Sequence, residues 1–292
     1  MKKSILLACF LGLILFSCKN KEKKTPSQEV MVEQTQEDKD LNGFWVGDFI
    51  ATEMKDESEY VMNNKLNIAI KSILNDSVSA QSIVAGNKRP LTGKISRRNG
   101  KVTFNLAEPG DDKYDGTFEF ELVNDTLVGV WKAYNTTLPV TKRSFKLAHK
   151  EFSYNPNVML ASNADYTDYV GSQQKTQTDT LENGEVEKYT DDYYRQASES
   201  VYTLNSSTHE LTEKELKNLK KLDLEILRNT IFARHGYTFK KKSYRQFFDP
   251  VEWYVPVADN IDGQLTPTEK ANIKLLVRFE KYATDNYDTF GR

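Results

Sequence analysis

The densest run of side chains able to do chemistry in this 292-residue chain is a decapeptide, Leu227-Arg228-Asn229-Thr230-Ile231-Phe232-Ala233-Arg234-His235-Gly236. Arg228, Asn229, Arg234 and His235 bring guanidinium forks, an amide and an imidazole to the end of one helix, with Trp253 a short way downstream. An arginine fork clasps a carboxylate through two parallel hydrogen bonds, so this set could bind a carboxylate or a sugar, as on peptidoglycan. The partial negative charge of a helix C-terminus favours the His235 cation. The same residues have a purely structural use. Arg228 and His235 could clamp loop carbonyls or carboxylates such as Asp249 or Glu269, with Trp253 stacked nearby. Catalysis has less to stand on. The three histidines, His149, His209 and His235, are far apart, and no His-Glu-x-x-His pattern for zinc is present. No spacing announces a nucleophile with its base or a working pair of acids. No catalytic residue, metal or cofactor is therefore expected.

The elements that must position these side chains are helical. Thr212 with Glu215, and Thr266 with Glu269, make capping boxes, and Pro267 stands at the favoured first helical position. Asp223 is the expected cap of a third helix that ends at Gly236. On that helix Leu224, Leu227, Ile231 and His235 share one side while Ile226 and Ala233 fall on the other, so it should pack on both. The decapeptide, Phe239, Phe247-Phe248, Trp253-Tyr254-Val255-Pro256 and Glu269-Lys270-Ala271-Asn272-Ile273 together resemble the YARHG domain, over residues 194–283, with Phe232 where the family has tyrosine. The resemblance implies a small extracytoplasmic bacterial module without an assigned biochemical role. Any role of the tyrosine hydroxyl cannot carry over to Phe232.

Ahead of this module, residues 41–150 alternate apolar and polar positions in about eight short runs, punctuated by Asn75-Asp76, Asn99-Gly100 and Asn124-Asp125. The expected fold class is α+β multidomain: an antiparallel β-barrel or meander of about eight strands, then the small helical domain. Such a barrel fills with side chains or holds one small ligand. Trp45, Phe104, Phe120 and Trp131 either pack its core or ring an apolar cavity. Leu41-Asn42-Gly43-Phe44-Trp45 and Gly129-Val130-Trp131 loosely resemble lipocalin-like and avidin-like barrels.

Residues 151–193 read as an acidic strap. Phe152 to Leu160 could lie against the barrel, Ser172 to Gly184 has the composition of a loop, and Tyr189, Tyr193, Tyr194 and Tyr202 suggest docking on the next domain. Ser77, Thr126 and Thr180 each sit between Asp and an aliphatic residue, which resembles a bacterial O-glycosylation sequence, although the first two are also plain turn chemistry.

The N-terminus addresses the chain. Lys2 and Lys3, an apolar run from Ile5 to Phe16 and a small residue at Ser17 are the parts of a secretory signal. Ile5 to Ser17 reaches only about 20 Å as a helix, short of a bilayer core of roughly 30 Å. Leu15-Phe16-Ser17-Cys18 resembles a bacterial lipoprotein signal, which implies cleavage of residues 1–17 and lipid on Cys18. The alternative is an ordinary secretory peptide with an incidental cysteine. Residues 18–40 are polar enough to serve as a flexible tether, and 284–292 as a tail. With Cys9 removed and Cys18 lipidated, no disulfide is available. Lys19, Lys21 and Lys23 lean basic: an acidic cluster there would resemble a surface-export signal, and an aspartate at Lys19 would resemble inner-membrane retention, so their absence implies an outer membrane, facing the periplasm. A formal net charge of −2 argues against nucleic acid. The expected function is a non-enzymatic envelope lipoprotein of binding type, its partners the membrane through Cys18 and another envelope protein or peptidoglycan. The alternatives are a carrier of a small apolar ligand in the β-domain and a glycan binder through the helical domain.

Overall fold

The alternating stretch after Leu41 folds as eight consecutive antiparallel strands in a computed structural model, which describes residues 36–56 and 63–283. They are β1 (Gly43–Met54), β2 (Asn64–Leu74), β3 (Ser77–Val84), β4 (Asn87–Arg98), β5 (Lys101–Ala107), β6 (Gly116–Val123), β7 (Thr126–Ala133) and β8 (Val140–Lys150). Each pairs with the next, and β8 pairs back on β1 to close the barrel. The signal peptide, Cys18, most of the tether and the tail lie outside the described residues.

The two ends of the barrel differ because their turns differ. Asn75, Asn99-Gly100 and Asn124-Asp125 take positive φ, which these residue types tolerate, and make the tight connections at one end. The other end carries the β3–β4 turn at Ala85-Gly86 and the longer loops 108–115 and 134–139. The interior near the tight turns is solid. Trp45, Phe104 and Phe120 are each 5 % exposed or less and belong to one continuous apolar core. The Phe104 and Phe120 rings stack at 4.7 Å and Phe120 meets Phe145 edge-on. A cavity ringed by Trp45, Phe104 and Phe120 is thus excluded: those rings are the filling.

Strand β2 breaks the in–out alternation. From Lys65 to Ile70 every residue is buried, because its inner face meets the core while Lys65 and Asn67, on the outer face, reach into the helical part of the chain. Part of the expected tether is also structured. Residues 36–40 form α1 (Gln36–Asp40), and Asp38 is buried in an ion pair with Arg97.

Two further expectations fail between the barrel and the helices. Ser172 to Gly184, read as a loop, is most of β9 (Thr167–Thr180) and its turn at Gly184, in a long antiparallel hairpin with β10 (Val186–Gln196). Its composition is polar because both faces are exposed over most of its length. Its base is pinned by buried Asp168, which accepts from Arg195, Gln246 and Gly171. Tyr189, Tyr193 and Tyr194 stay exposed on it, and only Tyr202 of that cluster packs inward. The 152–160 segment lies on the helical domain rather than on the barrel, through contacts described below.

The helices are α2 (Ser200–Thr203), α3 (Glu213–Leu216), α4 (Lys221–Arg234), α5 (Lys242–Phe248) and α6 (Pro267–Glu280). α4 is buried on both sides as its pattern requires. Leu224, Leu227 and Ile231 pack with Leu216 and Leu276 on one side, while Leu222, Ile226 and Ala233 pack with Phe239, Phe248 and Tyr254 on the other. Asp223 is not its N-cap. It sits one turn in, accepting from the backbone of Lys220 and of Ser198. Gly236 ends the helix at φ +69°.

Candidate functional site

Both expected capping boxes form, and the one on α6 does double duty. The Glu269 carboxylate accepts from the Thr266 backbone, as a cap should, and also from His235 Nε2 at 2.8 Å and the Tyr154 hydroxyl at 3.0 Å. Tyr154 stacks on the His235 imidazole at 4.2 Å. Burial pushes the Glu269 carboxyl up, but the bonds from Thr266 and His235 outweigh it and hold it below the usual range. Burial likewise pushes the Tyr154 phenol up to about 12, helped by its bond to Glu269. His235 is 2 % exposed.

The other signature residues are distributed by face. Arg234 is buried, donating to the Val158 carbonyl, the Ser207 hydroxyl and the Met159 sulfur. Trp253 donates to the Met159 carbonyl. Arg234, His235 and Trp253 therefore hold the 152–160 segment across the helices. Arg228 makes a bidentate pair with Glu280, tying α4 to α6. Asn229 donates back to the Glu225 carbonyl. Arg228 and Asn229 also line a surface groove of about 510 Å³ with Phe232, Tyr237, Tyr244 and Asp259. So the decapeptide does not converge on one site: two of its polar residues border a groove and two are internal struts. Ser77 and Thr180 are exposed, and Thr126 is half-buried.

The cavity that the sequence allowed in the barrel lies at its open end, away from Trp45, Phe104 and Phe120. It measures about 470 Å³, walled by Phe49, Phe118, Trp131, Leu138 and Val140 and crossed by polar groups from both domains. Trp131 is the one member of the expected cavity set that lines it. Glu108 is buried in its wall, accepting from the Ser82 hydroxyl, the Gly116 backbone and the Trp131 indole. Burial raises the Glu108 carboxyl above its usual range. Arg89 is neutralised by Asp112 and Asp115.

Two other arginines are not neutralised so simply. Arg143, on β8, donates to the Phe49 carbonyl and lies over the Phe49 ring at 5.3 Å. It has no carboxylate partner among the described residues. Burial pulls its pKa down to about 10, and the Arg245 charge adds to the shift. Arg245 comes from α5, in the helical domain. It donates to Asn64 and lies 3.7 Å from Asp249, with its Nε buried and unbonded. Burial lowers its pKa too. Nothing between positions 143 and 245 marks them as neighbours in sequence; only the docking of α5 on the barrel mouth makes them so.

Among the described residues, no three of His, Cys, Asp and Glu converge as a metal would require, and no helix is long and apolar enough to cross a membrane. No curated protein and no solved structure matched the chain. Residues 199–281 match the model of the YARHG domain. The helical part of this chain is a YARHG domain, carried behind a closed eight-stranded barrel.

Proposed function

We propose that the chain is a non-enzymatic binding protein of the bacterial cell envelope, anchored through lipid on Cys18, whose barrel mouth holds a small molecule beneath the YARHG domain. The observation that carries this is the 470 Å³ cavity, whose aromatic and aliphatic walls are joined by about as many polar and charged side chains. That is the usual size of a small-molecule site, with a more polar lining than most. Its size suits one compact molecule.

The direct test is titration of the full chain, held in lipid nanodiscs, with 1-naphthamide, a neutral apolar probe, against empty nanodiscs. Saturable one-to-one binding is expected. Val140→Trp, which pushes an indole into the cavity, is expected to weaken it strongly at an unchanged melting temperature. Binding undiminished in Val140→Trp would move the site elsewhere, and a chain that takes up neither naphthamide nor its carboxylate analogue would end this reading.

A second reading, glycan binding, is favoured by the groove beside α4. Aromatic faces at Phe232, Tyr237 and Tyr244 there stand next to Arg228, Asn229 and Asp259. Arg234 and His235 contribute less to that reading than their sequence positions suggested, because each is 2 % exposed and already bonded within the chain.

A further inference from the structure

We infer that the ligand of the barrel mouth is an anion: a compact molecule whose carboxylate or phosphate lies between Arg143 and Arg245 and whose apolar body rests on Phe49, Phe118 and Trp131. This rests on the cavity reading above and gives the ligand its chemical class.

The argument begins with cost. A buried guanidinium is expensive unless a carboxylate or a full set of hydrogen bonds offsets its lost hydration. Arg143 meets only one backbone carbonyl and an aromatic face. Arg245 donates to Asn64 and lies 3.7 Å from Asp249, but leaves its Nε–H buried without an acceptor. The two also repel each other across the cavity they both line. A folded chain that keeps a buried arginine and a half-buried one together beside aromatic rings has built a place where a negative charge is worth more than in water. Lys242, exposed at the same rim, adds to the positive field. Glu108, Asp112 and Asp115 do not pair with Arg143 or Arg245: Glu108 bonds Ser82, Gly116 and Trp131, and Asp112 and Asp115 pair with Arg89.

The arrangement also says why the YARHG domain sits where it does. Arg143 belongs to the barrel and Arg245 to α5. A ligand held by both is recognised only when the two domains are docked, so the anion adds to the attachment of the YARHG domain.

The test compares 1-naphthoate with 1-naphthamide, nearly the same shape with and without the charge, on the full chain in nanodiscs. Naphthoate is expected to bind at least tenfold more tightly. That ratio should fall to near one in Arg143→Met and in Arg245→Met, with naphthamide affinity retained, and should be partly kept in Arg143→Lys. Inorganic phosphate should compete with naphthoate in the wild type and lose that competition in the two methionine variants. Equal affinity of wild type for the two probes would overturn the anion assignment while leaving the cavity reading intact. A tenfold preference that survives both methionine variants, each confirmed as folded by its melting curve, would place the anion site elsewhere. Failure of both probes would count against the cavity itself.

Discussion

Glu269 shows how one side chain can be recognised in sequence for the smaller of its jobs. Its spacing from Thr266 announces a cap, and Glu269 is one of the carboxylates that His235, 34 residues away, is expected to clamp, as it does; nothing announces that Tyr154, 115 residues away, arrives at the same carboxylate. The residue is fully buried, so removing it strands a buried imidazole and a phenol together. Glu269→Ala should cost about 3 kcal/mol or more, as for one partner of a buried pair, read as a lowered urea midpoint. The pH dependence has a definite sign. The Glu269 carboxyl is held below its ordinary value of 4.5 in the folded state, so the folded chain binds fewer protons there than the unfolded one. Its contribution is complete above about pH 4.5 and is lost as pH falls through the folded pKa. The gap in melting temperature between wild type and Glu269→Gln should therefore narrow from pH 5 to pH 3. A constant gap would mean that the charge does not matter.

At the scale of elements, what was legible followed from local rules. The barrel strands were legible because each alternates against a single core, and the turns because Asn and Gly announce positive φ. Helix α4 was legible because its two apolar stripes demand two partners. The β9–β10 hairpin was not, since a ladder exposed on both faces carries no apolar alternation to read. The place of the cavity was not, because its walls come from strands and a helix that only the closed fold brings together. Gly86 belongs to the same class. Its turn is ordinary in sequence, yet an added Cβ would lie 2.4 Å from Lys240 Cγ and 2.9 Å from the Phe239 carbonyl oxygen, so it is a contact point between barrel and YARHG domain. Gly100 gives the control, with a similar φ and nothing within 4 Å. Gly100→Ala should cost only the left-handed strain, about 1–2 kcal/mol. Gly86→Ala should cost that and more, with faster amide exchange at Phe239 and Lys240. Equal losses in the two variants would remove the turn from the docking surface.

For the molecule as a whole, the question is whether barrel and YARHG domain behave as two bodies or one. The contacts between them are buried and polar. The Lys65 ammonium, on the outer face of β2, donates to the Val251 carbonyl at 2.5 Å and approaches that of Tyr254, and the Lys65 backbone donates to Asp249. Asn67 donates to the Pro256 carbonyl, and Lys88 to that of Val257. Burial draws the Lys65 pKa down to about 8, against the pull of Asp249. It also pushes the Asp249 carboxyl up to about 6, against Arg245 and the Lys65 backbone bond. Groups that are costly to bury and satisfied only across a junction make that junction all-or-none, since partial opening exposes carbonyls and charges whose partners stay behind. Wild type should accordingly melt in a single calorimetric transition. Lys65→Ala leaves the Val251 and Tyr254 carbonyls short of a donor and should split the endotherm, the YARHG domain melting first. Because Arg245 reaches the barrel mouth only from the docked domain, the same substitution should weaken naphthoate binding several-fold while sparing naphthamide more. If Lys65→Ala melts in one transition with full naphthoate affinity, the lysine is a passenger and other contacts hold the two domains together.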